Sequence, residues 1–253
     1  MIRDSEPHRT RRRGAALMLA LWLVVVLGTL GTRAARESRV AAGLTRDAHA
    51  RLVARYAAES GIEAMIADVE DSLRGFADIA ARRDWLNALT RTGGHGDTVA
   101  LADGRFTVTV TDVAAKLDLY SASELALRTF LAHFIDLASA GRVAHAIRTH
   151  LDQNGRQRLR SLNELRDRGL VPEPLLNRIA PYVTIHGDGA INTLTAPDVV
   201  RAAAFGALRR EPARLLLTSR GWRHGHAFTH EVEAIYAISG TTLVLVHYEA
   251  RDP

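Results

Sequence analysis

Histidine, aspartate and glutamate are the side chains in this sequence that could bind a metal ion or transfer protons. Three of the eleven histidines lie close together in the chain, at His224, His226 and His230. In a strand, His226 and His230 would be about 13 Å apart, too far to hold one ion, and no carboxylate is spaced to join them. The chain has no cysteine and none of the common motifs of nucleophilic, nucleotide-binding or zinc-dependent enzymes. We therefore expect a protein that is not an enzyme; an exported enzyme is the weaker alternative, and metal binding is left open.

The uncharged run at residues 15–32 is the most specific local feature, and arginines directly precede it. As a helix this run would be about 27 Å long, close to the hydrocarbon thickness of a bilayer. Arg11, Arg12 and Arg13 favour a cytoplasmic amino terminus, so the residues after Thr32 would lie across the membrane. Arginines in residues 1–14 account for most of the formal charge of +5, which leaves no basic domain to bind a nucleic acid.

The apolar run continues into a helical pattern. Apolar residues recur every three or four positions from Val40 to Leu73, and no proline occurs within residues 15–74. One helix of up to about 60 residues explains both observations. A cleaved secretory signal would instead end at a small-residue cleavage site and be followed by a new domain. We therefore expect the apolar segment to be retained in the mature protein.

The rest of the chain predicts a sheet that is interrupted by helices. Alternating residues flank an Asp103-Gly104 turn within residues 99–111, with Phe106, Val108 and Val110 on one face. Further strands are predicted at 214–218, 229–238 and 241–248, and helices at 79–89, 123–138, 143–151, 161–168 and 175–182. The order is long helix, sheet, helical insertion, sheet, and we expect the insertion to form its own small core.

A short repeat lies within this insertion, where residues 116–122 can be aligned with residues 190–196. We expect Asp118 and Asn192 to bind their own backbone in turns. Ser121 and Thr195 are expected to cap the helices that follow. None of these residues is reactive, so the repeat predicts structure and no catalytic activity.

The residues Arg11-Arg12-Arg13-Gly14, directly in front of an apolar helix, resemble the leader of type IV pilins and type II secretion pseudopilins. In those proteins a membrane aspartic peptidase cuts after the glycine, which implies a cut between Gly14 and Ala15 here. A plain signal anchor is the alternative. Counted from Ala15, the fifth residue is Leu19, where most members have a glutamate. Its absence implies a subunit at the tip of a filament, because no neighbour above has to be reached.

Three further segments carry a more specific resemblance. They are Asp112–Leu119, Arg160–Leu165, and Tyr182–Gly187 followed by Ile191-Asn192. In this order they resemble the minor pseudopilin K of the type II (general) secretion pathway, from about Arg13 to Ala204. The resemblance implies an α+β fold with a pilin-like long N-terminal helix packed on an antiparallel sheet, and a helical domain inserted between strands. The implied regions are a leader at 1–14, the N-terminal helix at 15–74 (transmembrane at 15–32), a first sheet segment at 75–115, the inserted helical domain at 116–206 and a second sheet segment at 207–253.

This resemblance also implies a function. The protein would cap the tip of the type II secretion pseudopilus and prime its assembly for protein export across the outer membrane. It would be a single-pass protein of the inner membrane with a periplasmic C-terminal domain. The implied partners are other minor pseudopilins, the prepilin peptidase, the inner-membrane secretion platform and the membrane; contact with secreted cargo is left open, and no nucleic acid is expected.

Two departures from the family pattern concern the insertion. Tyr120 and Leu194 stand where the family tends to have asparagine, and the insertion is short. Family members can bind calcium in this domain, so calcium is implied by the resemblance alone and no other cofactor is expected. Residues 152–155 form the local oxygen-rich segment, but they lack the ligand spacing of an EF-hand. We expect a turn without metal there.

A membrane-anchored DNA-uptake protein is the alternative function. Such receptors carry helix-hairpin-helix modules that begin with similar turns and contact phosphate through glycine-rich hairpins. The corresponding segment here is Arg168–Pro174, with one glycine and two prolines. Since proline lacks the backbone N–H that would hold a phosphate, we do not expect this segment to bind DNA.

Overall fold

The computed structural model describes residues 9–91, 96, 98–153, 158–203 and 206–252, and for residues 9–17 and 34 it describes the backbone only. The chain divides into two compact units, Met1–Ala50 and Arg51–Pro253. Within the described residues the helices are α1 (Arg9–Gly75), α2 (Ile79–Arg91), α3 (Glu124–Leu131), α4 (Leu137–Gln153), α5 (Asn163–Asp167), α6 (Glu173–Ile179) and α7 (Asp198–Ala202). The strands are β1 (Val99–Leu101), β2 (Gly104–Asp112), β3 (Leu117–Asp118), β4 (Val183–Thr184), β5 (Ala190–Asn192), β6 (Ala207–Arg209), β7 (Arg214–Arg223), β8 (Thr229–Ser239) and β9 (Thr242–Arg251).

Helix α1 confirms the predicted long N-terminal helix and begins before it, at Arg9. In the unit that ends at Ala50, the apolar side chains from Met18 to Leu30 are exposed. In the second unit, Ala54, Ala58 and Ile62 lie on one buried face of α1. Small residues recur on this face, so the helix backbone can approach the sheet closely.

The sheet confirms the predicted antiparallel arrangement. Its described strands follow the order β1-β2-β7-β8-β9, and each neighbouring pair is antiparallel. Phe106, Val108 and Val110 are buried on one face of β2, as the alternation predicts. The threonines between them lie on the opposite face. The β2–β7 pairing ends at Asp112 and Leu215, which are partners in the ladder although the whole helical insertion separates them in sequence.

Glycines permit a close approach of α1 to the sheet. A Cβ atom added at Gly221 in β7 would overlap the backbone oxygen of Ala54 and the backbone nitrogen of Ala58. A Cβ atom added at Gly61 in α1 would overlap the Ser219 hydroxyl. Backbone atoms of a packed helix cannot move aside cheaply, so position 221 requires glycine.

The insertion between β2 and β7 carries its own buried cluster, which includes Phe130, Leu165 and Ile179. A separate cluster, which includes Ile62 and Leu217, lies between α1 and the sheet. The insertion also contains two short parallel pairings, β3 with β4 and β5 with β6. Each of these pairings begins in one copy of the predicted repeat.

The predicted single helix at 123–138 is wrong. Helix α3 ends at Leu131 and α4 begins at Leu137, so the chain turns between them. The reason is local, because the Asp136 carboxylate accepts a hydrogen bond of 2.9 Å from the backbone N–H of Ser139 and caps α4. Helix α4 then covers more than the predicted 143–151.

The two turns of the repeat are confirmed, but the predicted caps are wrong. Asp118 accepts a hydrogen bond from the backbone N–H of Tyr120 at 3.2 Å, and Asn192 accepts one from Leu194 at 3.1 Å. Ser123, not Ser121, caps α3 by accepting a hydrogen bond from the Ala126 N–H. The N-cap residue of α7 is Pro197, which makes no side-chain cap. Thr195 instead bonds to a side chain of the sheet, as described below.

We predict that Gly221→Ala lowers the free energy of unfolding by about 3 kcal/mol, the upper end of the usual cost of overpacking. The reason is the clash of the new methyl group with the backbone of α1. The matched control is Gly43→Ala, where a Cβ would meet nothing within 4 Å, and it should stabilise the helix by about 0.5–1 kcal/mol. Denaturant unfolding of the full chain in detergent micelles measures both values. Equal stability of the two variants would contradict the close approach.

Candidate functional site

The described portion of α1 contains a segment that is long and apolar enough to cross a membrane. An 18-residue window within Met18–Gly75 has a mean hydropathy of 1.7, and none of that window is buried. Exposed apolar side chains of this density are costly in water and favourable in a bilayer. The finding is consistent with a single-pass anchor.

The sequence-predicted processing site lies at the start of this helix. Residues 1–8 of the predicted leader lie outside the described residues. The backbone at Gly14 and Ala15 is helical, and their side chains lie outside the described portion. Leu19 is described, and 67% of it is exposed. The cleavage between Gly14 and Ala15 and the role of Leu19 both stay predictions.

A buried polar network forms where the chain leaves β2 for the helical insertion. The Asp112 carboxylate is fully buried at the end of β2. One of its oxygens accepts hydrogen bonds from the Asn192 side-chain amide at 2.7 Å and from the Thr195 hydroxyl at 2.8 Å. The other accepts a hydrogen bond of 2.9 Å from the backbone N–H of Ala114. The carboxylate therefore joins the sheet to both ends of the insertion.

The same network reaches α2. The Asn192 amide also donates to the side-chain oxygen of Asn87 at 2.9 Å. The Asn87 amide in turn donates to the backbone oxygen of Arg210 at 2.8 Å. Asn87 and Asn192 are both buried, so each hydrogen bond replaces one that water would otherwise supply.

Burial dominates the electrostatics of this network. It raises the pKa of the Asp112 carboxyl above its ordinary value, and the three donors and the nearby Arg209 guanidinium only partly oppose the rise. Arg209 is itself paired with Asp188 at 2.8 Å. A fully buried carboxylate whose oxygens accept hydrogen bonds of this kind is a structural group.

A groove of about 240 Å³ lies between the insertion and the face of the sheet opposite α1. We call it the Lys116 groove and define it by Lys116, Arg160, Thr184, His186, Glu233 and Ile235, which are among its lining residues. Sequence reasoning missed this site because its walls come from distant segments. The one available signal was that Lys116 is the only lysine of the chain.

Comparison with solved structures finds a similar chain in the crystal structure of the GspK-GspI-GspJ complex from the enterotoxigenic Escherichia coli Type 2 Secretion System. The TM-score is 0.60, and the match covers 86% of this chain and 100% of that chain at 12% sequence identity. The fold is pseudopilin-like. No family model matches the sequence, and no curated protein matches it. At this identity the likeness establishes the fold alone.

The structure does not bring the histidines of the pseudopilin-like sheet together at a metal site. Within the described residues no group of three or more histidine, aspartate or glutamate side chains is arranged to hold a metal ion. The His230 ring contacts the Asp252 carboxylate at 2.6 Å, and the His224 side chain is exposed. In the oxygen-rich segment 152–155, where a turn without metal is expected, Asp152 pairs with Arg148 at 2.7 Å, while Asn154 and Gly155 lie outside the described residues.

The basic side chains in and near Arg168–Pro174, the segment considered for DNA binding, are paired with carboxylates. The Arg168 guanidinium pairs with Glu164 at 2.7 Å, and Arg166 pairs with Asp167 at 2.9 Å. Pro172 is the N-cap residue of α6. Basic side chains that are paired with carboxylates offer little charge to a phosphate, so this geometry does not favour a DNA contact.

We predict that Thr195→Val destabilises the fold by about 2 kcal/mol at neutral pH, because the buried carboxylate loses one donor. The loss should shrink to about 1 kcal/mol when Asp112 is protonated. Burial raises the pKa of Asp112 in the folded state above its ordinary value. Asp112 therefore contributes most to stability when it is protonated, and that contribution is lost as the pH rises through its folded-state pKa. Removal of Thr195 raises this pKa further and steepens the loss.

The matched control is Thr193→Val, which removes a hydrogen bond of 3.3 Å to the neutral backbone oxygen of Arg209. Its effect should be about 0.5–1 kcal/mol and independent of pH. Urea unfolding of both variants between about pH 3.5 and pH 8, on either side of an ordinary aspartate pKa, measures the difference. A pH-independent effect of Thr195→Val would show that the carboxylate does not carry a charge in the folded state.

Proposed function

We propose that this protein is a minor pseudopilin of a type II secretion pseudopilus. The observation that carries the proposal is the combination of an unburied apolar helix with a pseudopilin-like sheet that is interrupted by a helical insertion. The similar solved chain comes from a complex of GspK, GspI and GspJ, which supports other minor pseudopilins as partners. The sequence motifs that resemble pseudopilin K point in the same direction, since they occur in family order.

In this proposal the chain is processed and anchored as follows. The prepilin peptidase removes residues 1–14 between Gly14 and Ala15, and residues 15–32 span the inner membrane. The regions 75–115 and 207–253 then form a periplasmic pilin-like sheet, and residues 116–206 form the inserted helical domain. The assignment is supported by the uncharged run and by the three arginines before it.

We place this subunit at the tip of the filament for two reasons. Leu19 stands where most family members have a glutamate that pairs with the amino terminus of a neighbouring subunit. Because Leu19 has no carboxylate to bury, this subunit needs no such neighbour above it. The inserted helical domain connects strands β2 and β7. A domain at this place would obstruct a subunit stacked above. Growth would then extend only beneath this subunit. Capping, priming of assembly, and contacts with the secretion platform and cargo belong to the same proposal.

Processing is tested by Gly14→Ala. We predict that the leader stays uncut and that secretion of type II substrates is lost, because the peptidase requires the glycine. Mass spectrometry of the amino terminus from isolated membranes distinguishes intact Met1 from a free or methylated Ala15. The control is Gly28→Ala, within the apolar run, where a Cβ would meet nothing within 4 Å. It should be processed normally. Normal processing of Gly14→Ala would refute the leader assignment.

The tip position is tested by Leu19→Glu. We predict that this variant still inserts and folds but assembles less selectively at the tip of the filament. The reason is that the new carboxylate can pair with the amino terminus of a neighbouring subunit. Co-purification of the other minor pseudopilins from membranes should fall severalfold. Leu19→Gln, which adds polarity without charge, should leave co-purification close to that of the parent. If Leu19→Glu retains the same partners in the same amounts, the tip role of this position is wrong.

A further inference from the structure

The Lys116 groove contains a cation that no described residue neutralises by direct contact. Lys116 is half-buried, and burial lowers the pKa of its ammonium group while Glu233 opposes that shift. Within the described residues the ammonium makes no hydrogen bond and no ion pair. Because burial disfavours the charged form of Lys116, a ligand that supplies a negative charge would gain binding free energy at this ammonium.

Glu233, the carboxylate whose charge acts on this ammonium, has a closer partner in Arg251. Glu233 accepts a hydrogen bond of 2.8 Å from the Arg251 guanidinium, which also bonds Glu231 at 2.5 Å. Glu249 lines the groove 3.8 Å from the His247 ring. One guanidinium therefore binds both Glu231 and Glu233, and Glu233 acts on the Lys116 ammonium without direct contact.

Other cations surround the same portion of the groove. Arg160 lines it with an exposed guanidinium that forms no ion pair with a described residue. The His186 ring is stacked on the His247 ring with centroids 4.1 Å apart. The pKa of His186 is lowered to about 4, first by burial and then by the charges of His247, Arg214 and Arg158. Burial is the main cause of this shift, and the guanidinium groups of Arg214 and Arg158 add positive charge around His186.

The floor of the groove is apolar. Leu216 of β7 and Ile235 of β8 are partners in the ladder and lie side by side on the groove face of the sheet. Val113 also lines the groove. A ligand that extends along the groove would therefore place an apolar side chain next to its anionic group.

We propose that the Lys116 groove binds a carboxylate on an extended segment of a partner protein, with an apolar residue beside it. The carboxylate lies against the Lys116 ammonium and within reach of the Arg160 guanidinium. The apolar residue lies on Leu216 and Ile235. Binding gives the Lys116 ammonium an ion pair that the folded chain does not provide, and it raises the pKa of Lys116. The groove can bind such a segment whether or not the membrane role proposed above holds.

The test uses the full chain in detergent micelles and three labelled hexapeptides. The first is Gly-Leu-Asp-Leu-Gly-Gly with an amidated carboxyl end, the second replaces Asp by Asn, and the third is the Asn peptide with a free carboxyl end. Fluorescence anisotropy should show the Asp amide binding at least about tenfold more tightly than the Asn amide, with an affinity that falls as salt rises. Binding of the free-acid Asn peptide at a similar strength would support the groove as a carboxylate site and identify a terminal carboxylate as an equally good source.

Variants separate charge from packing. Lys116→Met keeps the length of the side chain and should weaken binding of the Asp amide by about tenfold, whereas Lys116→Arg should stay within about threefold of the parent. Arg142→Gln is the control, since the exposed Arg142 donates to the Ser139 hydroxyl on α4 and does not line the groove. It should have no effect.

A second measurement needs no substitution. Because Lys116 is the only lysine, acylation by an amine-reactive ester followed by mass spectrometry of its peptide reports on this one side chain. The Asp amide should slow the reaction and the Asn amide should not. The proposal is overturned if the Asp and Asn amides bind equally, if Lys116→Met binds as the parent does, or if no peptide binds at about 1 mM.

Discussion

The burial of one carboxylate governs how this chain combines a sheet with a helical insertion. Asp112 ends β2, and its charge can be tolerated inside the protein only when hydrogen bonds replace water. Ala114 supplies a donor at the start of the insertion, and Asn192 and Thr195 supply donors near its end. The requirement of a single side chain therefore fixes both ends of a segment of about one hundred residues, which would otherwise be free to pivot on its connections.

The same fixation creates the Lys116 groove. Lys116 follows Asp112 by one short turn, so the network that holds Asp112 also fixes the backbone from which the Lys116 side chain enters the groove. Arg214 strengthens the second wall, since its guanidinium donates to the backbone oxygens of His186 and Gly187. Hydrogen bonds that fix the walls of a groove reduce the reorganisation needed on binding, and this makes a weak charge contact more effective.

Sequence periodicity predicts the helices and strands that are determined by residues close in the sequence. It does not predict features that depend on a single capping residue or on residues far apart in the chain. Helix α1, the β1–β2 hairpin and strands β7 to β9 follow from apolar spacing and an Asp-Gly turn. The break between α3 and α4 was missed because apolar residues continue through Phe134 to Leu137 while the cap depends on Asp136 alone. The polar network could not be predicted, since Asp112 and Asn192 lie 80 residues apart and each has an ordinary local role in a turn. The groove depends on the same long-range contacts.

The pairing of β2 with β7 has a consequence for how the chain reaches its native state. Strand partners such as Asp112 and Leu215 meet only after the intervening hundred or so residues have been synthesised. Until then β2 has β1 as its neighbour on one side and an open edge on the other. High contact order of this kind slows folding, and an open edge invites mispairing. The nascent chain therefore keeps one unpaired edge of β2 until residues 214–223 have been synthesised.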